Sequence, residues 1–451
     1  MNERQFHPAA EQAIEIHARR VFDSAGRENE AKSRERGFSP DFFAQLSLTE
    51  EDIVGPVTLR EGSKLDGSAS LAIADQQVVL RFRGSSLGDF ESLVDRLLKV
   101  AWIGSAVSSQ WIAERLLHWM LREEKHSPET SSFTAFLVSE MSEVVREEHI
   151  WVPIAGLSVE SGFEIGGLSL APLSKERLDA WRSQFLETVP PESLDAAKQK
   201  FNQIRKRTQG FCAVEVPVEA ERGLALELAR EAADRAIGML RAFLPASASP
   251  VQSIVCRPLG QEYQPSYEMF VEREGQLVAR HSAILGDQPG WVSLSIRRLE
   301  GLFKFGLTEA SLMLASKAPS EFQSVLMRSL AIYSRVSISN STLDKLVFLL
   351  ASLETLLLDS QTEPIQSSVG DRLAFFLSRV PEERRKIVEL TRSSYGVRSR
   401  YLHHGAESIP QEVLEEFFKY CWVFYSRVTR MNERWETRRD FIEELTQIKY
   451  S

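Results

Sequence analysis

The chain of 451 residues is long enough for two or three domains, and its 43% hydrophobic and 26% charged residues are the ordinary mixture of a globular protein. The formal net charge of -9 argues against a protein that coats nucleic acid non-specifically, because such proteins are usually basic. The three cysteines lack CxxC spacing, which predicts a cytoplasmic protein without a disulfide framework. The most apolar segment is interrupted by polar residues and is too short for a membrane span, so no membrane contact is expected.

Residues 1–125 are predicted to form a mixed α/β region. Ala9–Ala31 has the period of a helix, and Gly62–Arg83 reads as two strands around a turn. Asp89–Leu121 returns to apolar residues at steps of three and four, which again indicates helix.

Residues 126–300 carry the clearest strand signals and are predicted to form an α+β sensing or regulatory domain. Ile150–Leu170 alternates apolar and polar residues between turn glycines, which indicates short antiparallel strands. Arg222–Phe243 is rich in Ala, Leu and Arg and is a predicted helix. Further strands are predicted at Phe211–Val218, Ser253–Cys256 and Tyr267–Arg280.

Residues 301–451 are predicted to be all-α, because strand signals vanish and helical patterns follow one another with short loops, as in a bundle. This region has 20 basic against 19 acidic residues, so the acidic excess lies in the first 300 residues. The predicted helices are Ser320–Val336, Thr342–Asp359, Ser368–Arg379, Pro381–Arg392, Ser394–His403 and Pro410–Arg434.

Several common chemistries have no motif in this sequence. It contains no GxxxxGK[ST] phosphate loop, no GxGxxG after a strand, no HExxH and no GxSxG. None of the eight histidines pairs with cysteines or carboxylates at a zinc spacing. A P-loop hydrolase, a zinc enzyme and a serine hydrolase are therefore disfavoured.

One segment near the C-terminus concentrates reactive side chains: within Ser393–Gly405 the sequence has two arginines, two histidines and two tyrosines. Arginine binds phosphate with a planar, permanently charged fork, and histidine exchanges a proton near neutral pH. Together they suit RNA cleavage without a metal, in which a base activates the 2′-OH and arginine stabilises the charge that grows on the phosphate.

Helix geometry sets a condition on this chemistry. Arg398 and His403 are five residues apart and therefore lie about 140° apart around a regular helix. The two side chains can meet at one phosphate if the long side chain of Arg398 reaches around the helix, if the helix ends near His403, or if a dimer supplies a second copy of the site. Ser399 and His403 share a face, as do Arg400 and His404.

The order of these residues resembles a known family. Arg398-Ser399-x-x-x-His403 resembles the Arg-polar-x-x-x-His motif of HEPN domains, compact helical ribonuclease-like modules of bacterial defence and toxin systems. The resemblance covers about residues 305–450, the final third, and is closest to the ApeA-like HEPN branch. The segments that carry it are Leu353–Leu357, Gly370–Ala374, Tyr395–Ser399 and His403–Gly405.

The resemblance implies a metal-independent endoribonuclease, without a cofactor, that dimerises through its C-terminal helices. Arg398 matches the motif arginine and would bind the scissile phosphate, while His403 matches the motif histidine and would act as general base or acid. Ser399 matches the polar residue between them and would orient His403 or the phosphate. In relatives, a region such as residues 1–300 senses a trigger, for example from a phage or a partner protein, or holds the nuclease inactive.

One departure from the branch concerns the histidine. The branch has one histidine before the glycine, whereas His403 and His404 both precede Gly405 here. Either of them can be the residue in the site, and we favour His403. Arg400 and Tyr395 are further candidates for the site.

A carboxylate and an arginine outside the motif are expected to brace it. Glu354 lies on a strongly apolar predicted helix, where a buried carboxylate needs a partner. We expect Arg372 or Arg398 to be that partner, in a structural role. The other interpretation is that Glu354 reaches solvent.

Two readings compete with the enzyme. The helical region can be a non-catalytic HEPN-like binding or dimerisation scaffold of a multi-gene defence system, which the acidic net charge favours because RNA would approach against repulsion. It can also be a module for a small nucleotide, which needs a pocket lined by Arg398 and aromatic residues such as Tyr395.

Overall fold

The computed structural model describes residues 6–28, 70–75, 78–125, 132–260, 266–273, 276–284, 290–360, 362–404 and 411–450. Only the backbone is described for residues 27–28, 70–75, 78–79, 81, 83, 266–273, 276–284, 402–404 and 450. The chain divides into two compact units. One unit is Met1–Glu148 with Val218–Glu227, and the other is His149–Pro217 with Leu228–Ser451. The residues on both sides of position 300 belong to the second of these units.

The first unit is a helical layer with a small sheet. Its helices are α1 (Pro8–Ser24), α2 (Ser85–Leu98), α3 (Ala101–Gly104), α4 (Ser109–Glu124) and α5 (Phe133–Val144). Its strands are β1 (Gly26–Glu28), β2 (Ser70–Asp75) and β3 (Val78–Arg83), which pair antiparallel in the order β1-β3-β2. The helix predicted at Ala9–Ala31 is present but ends at Ser24, because the chain turns there into strand β1, which pairs with β3. The strand pair predicted in Gly62–Arg83 is present, while residues 29–31, 62–69, 76 and 77 lie outside the described part.

The core of this unit follows the apolar period of its helices. Ile14, Ala18 and Val21 form one buried stripe of α1, as their spacing predicts. Glu15 is also part of α1, and its carboxylate accepts hydrogen bonds from the backbone N–H groups of Phe133 and Thr134 at 3.1 and 2.6 Å. A carboxylate at the N-terminus of α5 satisfies donors that the helix leaves unpaired and complements its dipole.

The middle of the chain contains most of the strands. A five-stranded sheet has the order β6-β7-β8-β4-β9, while β10 and β11 form an antiparallel hairpin and β5 pairs in parallel with β12. The strands are β4 (Arg146–Ala155), β5 (Leu157–Val159), β6 (Phe163–Ile165), β7 (Leu168–Pro172), β8 (Cys212–Ala220), β9 (Arg257–Pro258), β10 (Ser266–Arg273), β11 (Gln276–Ile284) and β12 (Val292–Leu294).

Two predictions for the middle region differ from the structure. Ser253–Cys256 is not a strand, because Ile254 makes only an isolated bridge to Gly290 and the pairing with β4 begins at Arg257. Two helices between β7 and β8 were not predicted, and they bury little of their surface. They are α6 (Lys175–Glu187) and α7 (Leu194–Thr208), and the predicted helix follows β8 as α8 (Arg222–Phe243).

After Leu294 all regular secondary structure of the described residues is helical. The mixed α+β region therefore precedes an all-helical region, as the sequence predicts. None of the helices in the described part of the chain is long and apolar enough to cross a bilayer. The helices are α9 (Ile296–Leu302), α10 (Thr308–Ala315), α11 (Glu321–Tyr333), α12 (Thr342–Leu357), α13 (Ile365–Leu377), α14 (Pro381–His404), α15 (Gln411–Arg430) and α16 (Arg438–Tyr450).

Helix α14 is continuous, whereas the sequence predicts a break between Arg392 and Ser394. The buried residues Ile387, Thr391, Ser394 and Val397 keep one helical stripe across that point. Ser394 has no exposed surface, so it belongs to the packed face of α14 and not to a loop. The continuous helix spans about 36 Å and brings the predicted motif onto a single rigid element.

Candidate functional site

Helix α12 presents a carboxylate from an apolar helix. Its N-terminus is capped by Ser341, whose Oγ accepts a hydrogen bond from the backbone N–H of Asp344 at 3.2 Å. Leu350, Leu353 and Leu357 are fully buried around Glu354, whose side chain is only 20% exposed. A charged group in such a position is stable only with a partner.

The partners of Glu354 come from α14. The Arg398 guanidinium donates from Nη1 to Glu354 Oε1 at 2.8 Å, and the Tyr395 hydroxyl donates to the same oxygen at 3.0 Å. Of the two arginines considered as the partner of Glu354, the structure thus brings Arg398 to it. We call Glu354, Tyr395 and Arg398 the carboxylate cluster.

Helical spacing explains why two donors reach one oxygen. Tyr395 and Arg398 are three residues apart and lie on neighbouring turns of the same face of α14. Ser394 and Val397 pack beneath them, and α12 and α13 both contact this helix. The direction of Arg398 is therefore set by the packing of two helices as well as by its ion pair.

The charges of the carboxylate cluster are partly shielded from solvent. Burial and the negative charge of Glu354 raise the pKa of Tyr395 well above its usual value, so the hydroxyl remains a proton donor. The Arg398 side chain is 27% exposed. Its Nε–H is buried without a hydrogen-bond partner in the described residues, so the guanidinium has donor capacity that these contacts leave unused.

Arg372 is not part of this cluster. It donates from Nη1 to the carbonyl oxygen of Leu357 at 2.5 Å and to the Glu363 carboxylate at 2.9 Å. A cation at the last carbonyls of α12 satisfies the acceptors of the helix end and complements the dipole. Burial opposes ionisation of Glu363, but hydrogen bonds from Arg372 and from a backbone N–H outweigh it and lower its pKa.

The remaining predicted residues lie further around or along α14. Ser399 and Arg400 are exposed, and neither contributes a hydrogen bond to the carboxylate cluster within the described residues. His403 and His404 are the last two residues of the helix, but their side chains and Gly405 lie outside the described part. Since α14 is continuous, positions 398 and 403 lie about 140° apart around its axis.

Two features of the site have little sequence signal. Tyr395 was considered for the site, but not as a donor to Glu354, because the pairing depends on the register between α12 and α14. Glu363 was not singled out, and its position six residues beyond the end of α12 becomes meaningful only once Arg372 is seen to lie between them.

Comparisons with protein-family models, with curated proteins and with solved structures find no match for this chain. Within the described residues, no group of three or more His, Cys, Asp and Glu side chains is placed to hold a metal ion.

Proposed function

We propose that the C-terminal helices form a HEPN-type, metal-independent endoribonuclease site of an antiphage-defence or toxin-type protein, with residues 1–300 sensing or regulating it. The observation that carries the proposal is the carboxylate cluster. The ion pair with Glu354 and the packing of α14 hold Arg398 in place, five residues before His403 in the same helix. An arginine that is held in one orientation is suited to a phosphate, because catalysis favours groups that are positioned in advance.

The proposed reaction assigns one role to each group. His403 removes the proton of the ribose 2′-OH, the 2′-oxygen attacks the adjacent phosphorus, and the bond to the 5′-oxygen breaks. Arg398 binds the non-bridging oxygens as negative charge grows on them. A protonated histidine supplies the proton that the leaving 5′-oxygen takes up, which gives a 2′,3′-cyclic phosphate and a 5′-OH.

A homodimer is part of this proposal. Because positions 398 and 403 diverge around α14, one chain aims the two groups poorly at a single phosphate unless Arg398 reaches around the helix. Two copies of α14 that face each other would supply Arg398 from one chain and His403 from the other. Glu354 then acts as a positioning residue that limits the rotamers of Arg398.

The test compares purified full-length variants on total cellular RNA in EDTA. Arg398→Ala and His403→Ala are each expected to lower the rate at least 100-fold, since general acid–base catalysis alone contributes about 10²–10⁴. Arg392→Ala is the matched arginine control, because this exposed residue of α14 pairs only with Glu389 on its own helix among the described contacts. His404→Ala distinguishes the two histidines. Cleavage that persists in Arg398→Ala and His403→Ala contradicts the assignment.

A second function is favoured by the same ion pair. Glu354 neutralises Arg398, and the chain carries a net charge of -9, so a phosphate meets less positive potential than the motif alone suggests. On this reading the helices are a non-catalytic dimerisation scaffold for other defence proteins. Growth arrest on expression of the full chain that is lost with His403→Ala supports the enzyme, whereas a dimer that neither cleaves RNA nor arrests growth supports the scaffold.

A further inference from the structure

The second compact unit contains a cavity that the proposed site does not use. Its volume is about 530 Å³, and it lies among the loop after α8, strand β12, helix α9 and helix α15. This volume falls in the range of about 300–1,000 Å³ that is usual for small-molecule sites. Apolar side chains form much of the wall, among them Leu244, Ile254, Leu294 and Leu302.

Three aromatic residues line this cavity. Trp291 is 73% exposed, and among the described residues its ring makes an edge contact with Phe211, at 5.3 Å between centroids. The rings of Phe305 and Trp422 are in contact, with centroids 4.3 Å apart and their planes tilted by 38°. A tryptophan left this exposed beside an apolar cavity contributes little to the core, but it offers a flat surface on which a planar ligand can stack.

The backbone that carries Phe305 is unusual. Phe305 lies in the segment Phe303–Leu307, where the chain kinks between α9 and α10 and Gly306 has a non-helical φ of 131°. A Cβ at position 306 would lie 2.8 Å from Cε1 of Phe243, so only glycine fits. This kink places Phe305 against Trp422 in the cavity wall.

The polar groups of the cavity are few and include one cation. Arg298 donates from Nη1 to the backbone carbonyl of Ser293 at 3.3 Å, and it has no ion-pair partner within the described residues. Gln252 adds an amide to the lining. An apolar aromatic cavity with one arginine at its wall matches a planar ligand that has a single anionic group.

We propose that this cavity binds a nucleoside monophosphate, with the base on the aromatic walls of Trp291 and the Phe305–Trp422 pair and the phosphate on Arg298. The cavity does not involve Arg398 or the carboxylate cluster, so this inference does not rest on the proposed ribonuclease. Stacking on the aromatic walls stabilises any of the bases, because every base has a flat π-face. Gln252 supplies hydrogen bonds to the edge of the base or to the ribose.

The test measures binding of adenosine 5′-monophosphate, adenosine and inorganic phosphate to the full-length protein by calorimetry. Arg298→Ala is expected to weaken binding of the monophosphate about tenfold or more while leaving adenosine within about twofold, because only the phosphate bond is lost. Trp291→Ala is expected to weaken both ligands about tenfold, from the loss of stacking. The matched controls are Arg297→Ala and Leu312→Ala, two exposed residues that do not line the cavity.

Three results would overturn the inference. They are no binding of the monophosphate at about 1 mM, equal loss in Arg297→Ala and Arg298→Ala, or binding of inorganic phosphate as tight as that of the nucleotide. A 5′-phosphorylated tetraadenylate separates two sources of the same chemistry. If it binds more tightly than the monophosphate and depends on the same two residues, the ligand is the end of an RNA; if it binds more weakly, the ligand is the free nucleotide.

Discussion

Glu354→Gln and Arg398→Met, made singly and together, measure how strongly the Glu354 carboxylate holds Arg398. The amide of glutamine retains an acceptor for Tyr395 but removes the charge that faces Arg398. Hydrogen bonds to charged groups contribute about 1.5–3 kcal/mol, and exposed ion pairs about 0–1 kcal/mol. Because these side chains are 20% and 27% exposed, we expect a coupling energy of about 1–2 kcal/mol.

The assay is a double-mutant cycle on the free energy of unfolding, followed by urea denaturation of the full-length protein. Glu389 and Arg392 form the matched control, because they are another Glu–Arg pair on α14 that is 67% and 65% exposed at 3.6 Å. Their cycle is expected to give at most about 0.5 kcal/mol. In about 1 M salt the control coupling should vanish, whereas most of the Glu354–Arg398 coupling should remain.

A coupling energy at Glu354–Arg398 no larger than that of the control pair would refute this reasoning. It would mean that helix packing alone directs Arg398, and that Glu354 is not a positioning residue. In that case Glu354→Gln should also leave RNA cleavage unchanged, whereas our account predicts a lower kcat with a smaller change in KM, because a loosely held arginine loses transition-state contacts.

Three further predictions concern the free energy of unfolding, which urea denaturation measures. Lys345 is fully buried, and burial lowers its pKa from 10.5 to about 8. Between these pH values the unfolded chain binds more protons than the folded one, so stability rises with pH. The free energy of unfolding of the wild type should therefore increase by up to about 3 kcal/mol relative to Lys345→Met as pH rises from 8 to 10.5. A pH-independent difference would contradict this. Gly306→Ala should cost about 2 kcal/mol or more, since its Cβ would meet Phe243; a neutral result would show that the turn relaxes. Arg372→Met should cost about 1–2 kcal/mol and speed amide exchange at the end of α12, where Arg372 binds the carbonyl of Leu357; unchanged exchange would exclude the capping role.

Helices with a continuous apolar stripe were predictable from the sequence. Arg222–Phe243 is a helix over the predicted range, and the buried stripe of α1 is the one that its spacing indicates. Helices α6 and α7 have no such stripe: within their ranges only Leu178 and Thr208 are buried, so no period marks them. Long-range pairing also lacks a local signal, since β5 and β12 are more than 130 residues apart.

The carboxylate cluster was predictable in part. The apolar surroundings of Glu354 indicate that it needs a partner, and Arg372 and Arg398 were the two candidates. The choice between them depends on how α12 and α13 pack on α14, because Arg372 is drawn to the end of α12 and Arg398 to its last turns. The aromatic cavity had no sequence signal, because Trp291 and Trp422 are brought together only by the tertiary fold.

The most direct test of the proposed ribonuclease is the chemistry of the ends that it leaves on RNA. The full-length protein is incubated in EDTA with a defined RNA and with the same RNA carrying a 2′-deoxyribose at the cut position, and the fragments are measured by mass spectrometry. The account predicts 2′,3′-cyclic phosphate and 5′-OH ends, with no cleavage at the deoxyribose and none by His403→Ala. Ends with a 5′-phosphate, or cleavage that proceeds at the deoxyribose, would contradict it.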